Sequence, residues 1–234
     1  MTREPWQITR EMFFSEDEVE LLLVRVAGRV LEAKPGDITP CVDEMIIHSL
    51  LFSGLRNSEF CRLTLADTVL GATQSKFLVR GTPREDRDVY IPTALASLIR
   101  RYVSQMRPGC LPAGVSPRDS ALPLVVNERG KPYERTGLYR RVVRILTEAG
   151  LGARASVQLL RHTYGYLAYK RSGGNLLFVQ RQLGHAHPSV TSIYAQFVDE
   201  PYARLADAVG GPAAPGTSKK NSIHGKRVTR LKGK

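Results

Sequence analysis

The sequence predicts a mainly α-helical domain of the α+β class, with one small antiparallel β-sheet. Apolar residues recur at helical spacing in both halves of the chain, between residues that cap and end helices. Only residues 76–92 change to an alternating pattern, which is typical of two strands joined by a turn. Hydrophobic residues make up 42% of the 234 residues and charged residues 24%, which is typical of globular proteins.

The sequence of the first part of the chain predicts an irregular N-terminal segment, residues 1–11, followed by two helices. Ser15–Glu18 form a capping box, because a serine is followed three positions later by a glutamate, and the helix behind it ends near Ala33. A second helix is predicted from about Cys41 to Ser53, and Gly54 is placed to end it.

A short helix and a hairpin follow. The helix begins with Asn57 or Ser58 as its cap. The predicted strands are residues 76–80 and 87–91, and residues 81–86 form the turn between them.

The remainder is predicted to be helical as far as residue 209 and irregular beyond it. Further helices are predicted over residues 93–106, 136–149, 156–171, 175–183, 189–197 and 199–209. Residues 210–218 form a Gly/Pro/Ala linker, and the basic tail after them is expected to be disordered on its own. Residues 12–209 are therefore expected to form one domain, with no separate helical domain before it.

The formal net charge of +12 indicates a polyanionic partner. DNA or RNA is the first candidate, and an anionic membrane surface is the second. Seven of the basic residues lie between Lys219 and Lys234, so the tail carries much of the surplus. The most apolar run, Met45 to Leu55, is too short to span a bilayer. The three cysteines lack metal-site spacing and are expected to be reduced thiols in the cytosol.

Four short segments carry side chains that suit phosphate chemistry. They read Gly-Leu-Arg-Asn-Ser-Glu at residues 54–59, Leu-Arg-His-Thr at 160–163, Leu-Gly-His at 183–185 and Thr-Ser-Ile-Tyr at 191–194. Guanidinium groups can neutralise phosphate oxygens, and a phenol becomes a usable nucleophile once its pKa is lowered from about 10.

Each candidate taken alone has an ordinary structural interpretation. Arg56 can pair with Glu59, His185 suits a helix C-terminus, and Tyr194 can be a core aromatic. Arg161 lies in an apolar stretch without a nearby acid, so it needs an anion that a phosphate would supply. Taken together, two arginines, then a histidine and a tyrosine nine residues after it, form a specific arrangement.

On these segments the sequence resembles the tyrosine recombinase (phage integrase) family, over roughly residues 12–200. In that family the first active-site arginine follows Gly-Leu and precedes a glutamate by three residues. The second lies in a Leu-Arg-His-Thr run, and Leu-Gly-His and Thr-x-x-Tyr motifs follow. The resemblance implies the family's catalytic-domain fold for residues 12–209. It also implies site-specific DNA recombination, such as integration at a mobile element, with no cofactor and no metal.

The resemblance also implies a role for each matching residue. Tyr194 attacks the scissile phosphate and leaves a 3′-phosphotyrosine and a free 5′-hydroxyl. Arg56 and Arg161 neutralise the charge that builds up on the phosphate. His185 hydrogen-bonds the phosphate and assists proton transfer, and Glu59 orients Arg56.

The sequence departs from the family at two catalytic positions. Gln158 stands where the family usually has a histidine, and its amide can donate a hydrogen bond but cannot carry a proton at neutral pH. Thr82 lies in the hairpin turn, where the family has a lysine that protonates the leaving oxygen. Arg84 lies in the same turn but is a poor acid, and Lys76 lies at the far end of the strand, so the general acid remains open.

The resemblance implies double-stranded DNA as the partner, with a homotetramer binding two duplexes. It implies a location in the cytoplasm, at the nucleoid, and no membrane partner. The expected DNA contacts are Lys76, Arg84, Lys219, Lys220, Lys226, Arg227 and Arg230. His162 belongs to the second-arginine motif but is expected only to pack or to point to solvent. Two alternatives remain, namely a catalytically decayed relative that binds DNA, and a general basic nucleic-acid binder in which the motifs arise by chance.

Overall fold

The computed structural model describes residues 8–81 and 86–198. Its α-helices are α1 (Glu16–Leu31), α2 (Thr39–Ser53), α3 (Asn57–Arg62), α4 (Thr93–Arg101), α5 (Arg135–Glu148), α6 (Val157–Arg171), α7 (Leu176–Leu183) and α8 (Ser189–Ser192). The predicted α+β class is confirmed, because this mainly helical structure contains one small antiparallel sheet. The helix predicted over residues 199–209, the linker and the basic tail lie outside the described residues.

The sheet has three strands in the order β1 (Thr68–Leu70), β2 (Ser75–Val79) and β3 (Arg87–Ile91), and neighbouring strands are antiparallel. The sequence predicted β2 and β3 but missed β1. A strand of three residues is too short to show alternation, and none of its side chains is buried.

The ends of the helices follow from local sequence signals. The capping box of α1 is present, because the Ser15 hydroxyl accepts the Glu18 N–H at 3.0 Å and the Glu18 carboxylate accepts the Ser15 N–H at 2.7 Å. Gly54 ends α2 in the left-handed region at φ 63°, which glycine adopts without steric cost.

The cap predicted for the third helix was one or two residues late. Arg56 caps α3, and Asn57 and Ser58 are already helical. The Glu59 carboxylate accepts the Arg56 N–H at 2.8 Å, so an acid three residues ahead stabilises this start. The helix predicted through residue 106 is α-helical only to Arg101 and continues as one π-helical turn, Tyr102–Met106.

The core lies around α2 and α6, which pack against each other. Helix α2 also contacts α1, α4 and α5, so it is enclosed on most sides. The buried face of α6 includes the polar residues Arg161, His162 and Thr163, which is unusual for a core helix. Buried polar groups require partners, and their partners identify the candidate site.

Candidate active site

Five residues that the sequence selected line one pocket of about 330 Å³. They are Arg56, Gln158, Arg161, His185 and Tyr194. The pocket lies where the start of α3, the exposed edge of α6, the end of α7 and the segment after α8 meet. Residues more than a hundred positions apart in the chain therefore share a space large enough for a phosphate group.

The C-terminal end of α7 holds three arginines on three consecutive backbone carbonyls. The carbonyl oxygen of Gln182 accepts from Arg87 Nε at 3.1 Å. The next, that of Leu183, accepts from Arg161 Nη2 at 2.6 Å, and that of Gly184 accepts from Arg56 Nη2 at 3.2 Å. The last carbonyls of a helix lack partners within the helix and carry its negative dipole end, so they suit guanidinium donors.

Arg161 is the most deeply buried of these cations, with 4% of its surface exposed. Its other guanidinium nitrogen donates to the Gly54 carbonyl, at the end of α2. Among the described residues no carboxylate bonds to it, as the sequence indicated. Burial and the neighbouring Arg56 lower the pKa of Arg161 to about 9, so the group remains charged at neutral pH and favours an anion in the pocket.

Glu59 bridges Arg56 to a second arginine, Arg87. Its carboxylate accepts from Arg56 Nη1 at 2.7 Å and from both terminal nitrogens of Arg87 at 2.9 and 2.8 Å. Burial would raise the pKa of Glu59, but the hydrogen bonds from Arg87 and from the Arg56 backbone outweigh it and lower the pKa to about 2. The carboxylate therefore stays ionised and fixes two cations at the edge of the pocket.

Sequence reasoning missed Arg87, which begins β3. An arginine at the start of a hairpin strand is usually a solvated side chain, and only the fold brings it to Glu59 and α7. Its side chain is 13% exposed.

His185 follows the left-handed Gly184 and lines the pocket. Its Nδ1 lies 2.9 Å from the Thr191 hydroxyl, which orients the ring. Burial, together with the charges of Arg161 and Arg56, lowers the pKa of His185 to about 3. The imidazole is therefore neutral near neutral pH, and an arriving phosphate would raise its pKa.

Tyr194 lies between α8 and a 3-10 turn, Ala195–Phe197, so the helix predicted over residues 189–197 is interrupted at this residue. The side chain is 1% exposed, and its hydroxyl lies 3.0 Å from His162 Nδ1. Burial raises the pKa of Tyr194 to about 12, although Arg161 opposes the shift. The ring packs closely on Gly165, where a Cβ atom would lie 2.3 Å from the ring.

Several selected residues do not reach the pocket. Lys76 does not line the pocket, and its ammonium lies on the sheet, 2.6 Å from the Asp88 carboxylate. Thr82 and Arg84 lie outside the described residues, as do all of the tail residues selected for DNA contact.

A larger groove of about 1220 Å³ adjoins the pocket, between the hairpin of β2 and β3 and helix α7. Gly184 and His185 line both spaces. The charged residues of the groove are Arg80, Asp86, Arg87, Asp88 and Arg181. Within the described ranges, no three His, Cys, Asp or Glu side chains are placed to hold a metal ion. The same part of the chain contains no helix that is both long and apolar enough to cross a bilayer.

Two curated relatives show similar sequences. The chain is 31% identical over 195 residues to the tyrosine recombinase XerC of Halalkalibacterium halodurans, covering 83% of this chain and 60% of that protein. It is 30% identical over 182 residues to the tyrosine recombinase XerC of Lactobacillus delbrueckii subsp. bulgaricus, covering 78% and 57%. The chain thus spans about 60% of the length of the curated relatives it matches.

Solved structures show the same fold. The XerH site-specific recombinase bound to its difH substrate in a pre-cleavage complex matches with a TM-score of 0.67 at 22% identity, covering 90% of this chain and 57% of that one. The XerA recombinase matches with a TM-score of 0.63 at 22% identity, covering 90% and 68%. The family model for the phage integrase family matches residues 13–200, and on this match and the identities to XerC the chain belongs to that family.

Proposed function

We propose that this chain cleaves and rejoins double-stranded DNA at specific sites, through a covalent 3′-phosphotyrosine on Tyr194. The observation that carries the proposal is the convergence of Arg56, Arg161, His185 and Tyr194 on one pocket. Membership of the phage integrase family and the relatives named tyrosine recombinases support the reaction class.

The proposed chemistry exchanges one phosphodiester for another. Tyr194 Oη forms a bond to phosphorus, the phenolic proton leaves, the bond from phosphorus to the 5′-oxygen breaks, and that oxygen gains a proton. Arg56 and Arg161 bind the non-bridging oxygens and stabilise the charge of the transition state. The carbonyls at the end of α7 already hold both guanidinium groups in place, so little reorganisation is needed. His185 hydrogen-bonds the phosphate. Since the phosphotyrosine retains the ester, a 5′-hydroxyl reseals the strand without an energy source.

The proposed substrate is duplex DNA, held by four copies of the chain on two duplexes and located at the nucleoid in the cytoplasm. A structure of the Tn1549 transposon integrase is described as a complex with transposon right end DNA, which supports this partner. The groove beside the pocket is lined by three arginines and two aspartates, and Arg181 is proposed to contact the DNA backbone there. Lys76, Arg84 and the basic tail are proposed to bind the DNA backbone.

A second candidate function is DNA binding without cleavage. The observation that favours it is Gln158, which lines the pocket where a proton carrier is usual in the family. The proposal of a cleaving enzyme and this alternative differ in one product, the covalent adduct.

A suicide DNA substrate, nicked so that the cleaved fragment diffuses away, distinguishes the two functions. The wild-type chain is expected to give an adduct that survives heat and detergent on a denaturing gel, and Tyr194→Phe is expected to abolish it. Tyr139→Phe is the matched control, because that tyrosine is 45% exposed and does not line the pocket. Absence of an adduct from protein that still binds the DNA would establish the alternative.

Two further outcomes test the assignment itself. Loss of the adduct in Tyr202→Phe, with retention in Tyr194→Phe, would show that another tyrosine is the nucleophile. Binding that disappears when the tail is removed, and that Arg56→Ala and Arg161→Ala leave unchanged, would indicate a general basic nucleic-acid binder.

A further inference from the structure

We propose that His162 is a further catalytic residue, which takes the phenolic proton from Tyr194 as the phenol attacks the phosphate. This inference rests on the proposed function, because it assigns the base for that same reaction. It gives a role to a residue that the sequence motif contains but that sequence reasoning treated as packing.

The imidazole of His162 lies within hydrogen-bond distance of Tyr194, the proposed nucleophile. His162 Nδ1 lies 3.0 Å from the Tyr194 hydroxyl oxygen, and the other ring nitrogen, Nε2, lies 3.0 Å from the side-chain amide of Gln158. Gln158 and His162 are four residues apart on α6, so their side chains share one helix face. The result is a chain of three hydrogen-bonded groups that ends at the attacking oxygen, in which His162 and Tyr194 are buried and Gln158 is exposed.

The other groups that line the pocket are poorly suited to accept the phenolic proton of Tyr194. Arg56 and Arg161 are cations without an acceptor atom, and an amide such as that of Gln158 does not take up a proton at neutral pH. The His185 ring is bonded to Thr191 instead. The charged or titratable groups that line the pocket with His162 are Arg56, Arg161, His185, His187 and Tyr194.

The amide of Gln158 can set the tautomer of His162. When the amide oxygen faces the ring, it accepts the proton of Nε2 and leaves the lone pair of Nδ1 toward the phenol. A half-turn of the amide exchanges its oxygen and nitrogen without moving any other atom. In that arrangement Gln158 orients the base, as a carboxylate orients the histidine of a hydrolytic triad.

The electrostatics keep this base in its neutral form. Burial and the charge of Arg161 lower the pKa of His162 to about 4, so near neutral pH the ring is uncharged and only one of its two nitrogens carries a proton. A phosphate bound to Arg161 cancels that charge and raises the proton affinity of the ring when the substrate is present.

In the proposed step, the oxygen of Tyr194 forms its bond to phosphorus while its proton passes to His162 Nδ1. The bond to the 5′-oxygen breaks, and that oxygen takes its proton from a group other than His162. In the resealing step the 5′-hydroxyl attacks and gives its proton back to that group, the bond from phosphorus to the Tyr194 oxygen breaks, and the imidazolium returns its proton to the departing phenolate.

The test compares His162→Asn with the wild-type chain in single-turnover formation of the adduct. Asparagine can accept a hydrogen bond from the phenol but cannot take up its proton. We expect the rate to fall by about 100-fold or more, the usual contribution of a general base. His48→Asn is the matched control, since His48 contacts Phe52 on α2 and does not line the pocket.

A substrate with sulfur in place of the bridging 5′-oxygen distinguishes the loss of the general base from the loss of the general acid. A thiolate leaves without needing a proton, so this substrate restores variants that lack the general acid. It is not expected to restore His162→Asn, because that variant is impaired in the attack. Full restoration would assign His162 to the leaving group and overturn the proposal.

The pH dependence gives a readout that a positioning role would not change. The wild-type rate is expected to stay level from about pH 6 to about pH 9, because the neutral base is present throughout. In His162→Asn the rate should rise about tenfold per pH unit, since attack then requires a phenol that is already ionised. A wild-type rate that rises in that way overturns the proposal, and this measurement does not depend on how the variant folds.

The two proposals fail in different ways. A wild-type chain that gives no adduct contradicts the proposed function. A wild-type chain that gives an adduct, together with a His162→Asn variant of equal rate and unchanged pH profile, contradicts only the role of His162.

Discussion

Gly165 determines where Tyr194 can lie, because the tyrosine ring occupies the space that a side chain on this residue would need. A Cβ atom there would lie 2.3 Å from Tyr194 Cζ and 2.6 Å from its hydroxyl oxygen. The position of the Tyr194 ring relative to Arg161 and His162 therefore depends on the absence of a methyl group at Gly165.

Gly165→Ala is expected to displace the Tyr194 ring and to lower the free energy of unfolding by about 1–3 kcal/mol, the usual cost of overpacking. The released phenol should react faster with tetranitromethane, which nitrates accessible tyrosines. Gly28→Ala is the matched control, since nothing lies within 4 Å of that position in α1 and alanine favours a helix. Equal stability and equal nitration in Gly165→Ala and the wild-type chain would contradict the close packing.

At the scale of elements, the end of α7 organises the cations of the pocket. Arginines from the start of α3, from β3 and from α6 all donate to its last carbonyls. Gly184 makes this possible, because its left-handed conformation at φ 63° ends the helix and leaves room for Arg87. The arginines are therefore positioned by backbone atoms, which fix a donor more tightly than flexible side chains do.

A comparison of Gly184→Ala with Gly173→Ala as its control tests whether the turn at Gly184 positions the arginines. Both glycines have nearly the same conformation, φ 63° and 64°, so both variants should lose about 1–2 kcal/mol of stability through backbone strain. Only at Gly184 would the new methyl group meet Arg87, at 2.9 Å, whereas nothing lies within 4 Å at Gly173. Adduct formation is expected to fall about 10- to 100-fold in Gly184→Ala alone. Equal rates in the two variants would show that the arginines do not depend on this turn.

The contact between β3 and the pocket can be tested through Arg87. Arg87→Ala leaves the buried Glu59 with one cation instead of two, so we expect a loss of about 3 kcal/mol in the free energy of unfolding. At saturating DNA the rate of adduct formation should fall at least about tenfold, because Arg56 loses its fixed partner. Arg80→Ala on the same hairpin is the control for stability, since its side chain is 65% exposed and its pairing contributes little. A stable and fully active Arg87→Ala variant would contradict this role.

At the scale of the whole molecule, the buried site makes stability depend on pH. The imidazoles of His162 and His185 titrate with pKa values of about 4 and about 3 in the folded chain, against about 6.5 when unfolded. Below about pH 6.5 the unfolded chain binds more protons, so the free energy of unfolding falls as the pH falls. Each group contributes at most about 1.4 kcal/mol per pH unit.

Urea unfolding between about pH 4 and about pH 8 measures this dependence. The double variant His162→Asn, His185→Gln should lose part of the slope below about pH 6.5, because neither replacement titrates there. A wild-type chain and a double variant with the same slope would show that other groups determine the acid sensitivity. Glu59, with its pKa of about 2, should add a further loss of stability only below about pH 4.5.

The features that could be predicted from the sequence are those with local signals. The capping box of α1 and the glycine that ends α2 each depend on a few neighbouring residues, and both agree with the structure. Strand β1 and the contact between Arg87 and Glu59 arise from long-range packing, which no local pattern reports. The contact of His162 with Tyr194 was missed for the same reason, because it joins residues 32 positions apart.

The burial of Tyr194 has a consequence for the proposed cleavage of DNA through this phenol. A tyrosine that is 1% exposed, with its hydroxyl hydrogen-bonded to a neighbouring ring, offers little contact to small phosphate esters that diffuse past the protein. In the proposed reaction, free nucleotides and stray strand ends would therefore be poor substrates, and only phosphates that enter the pocket fully would react.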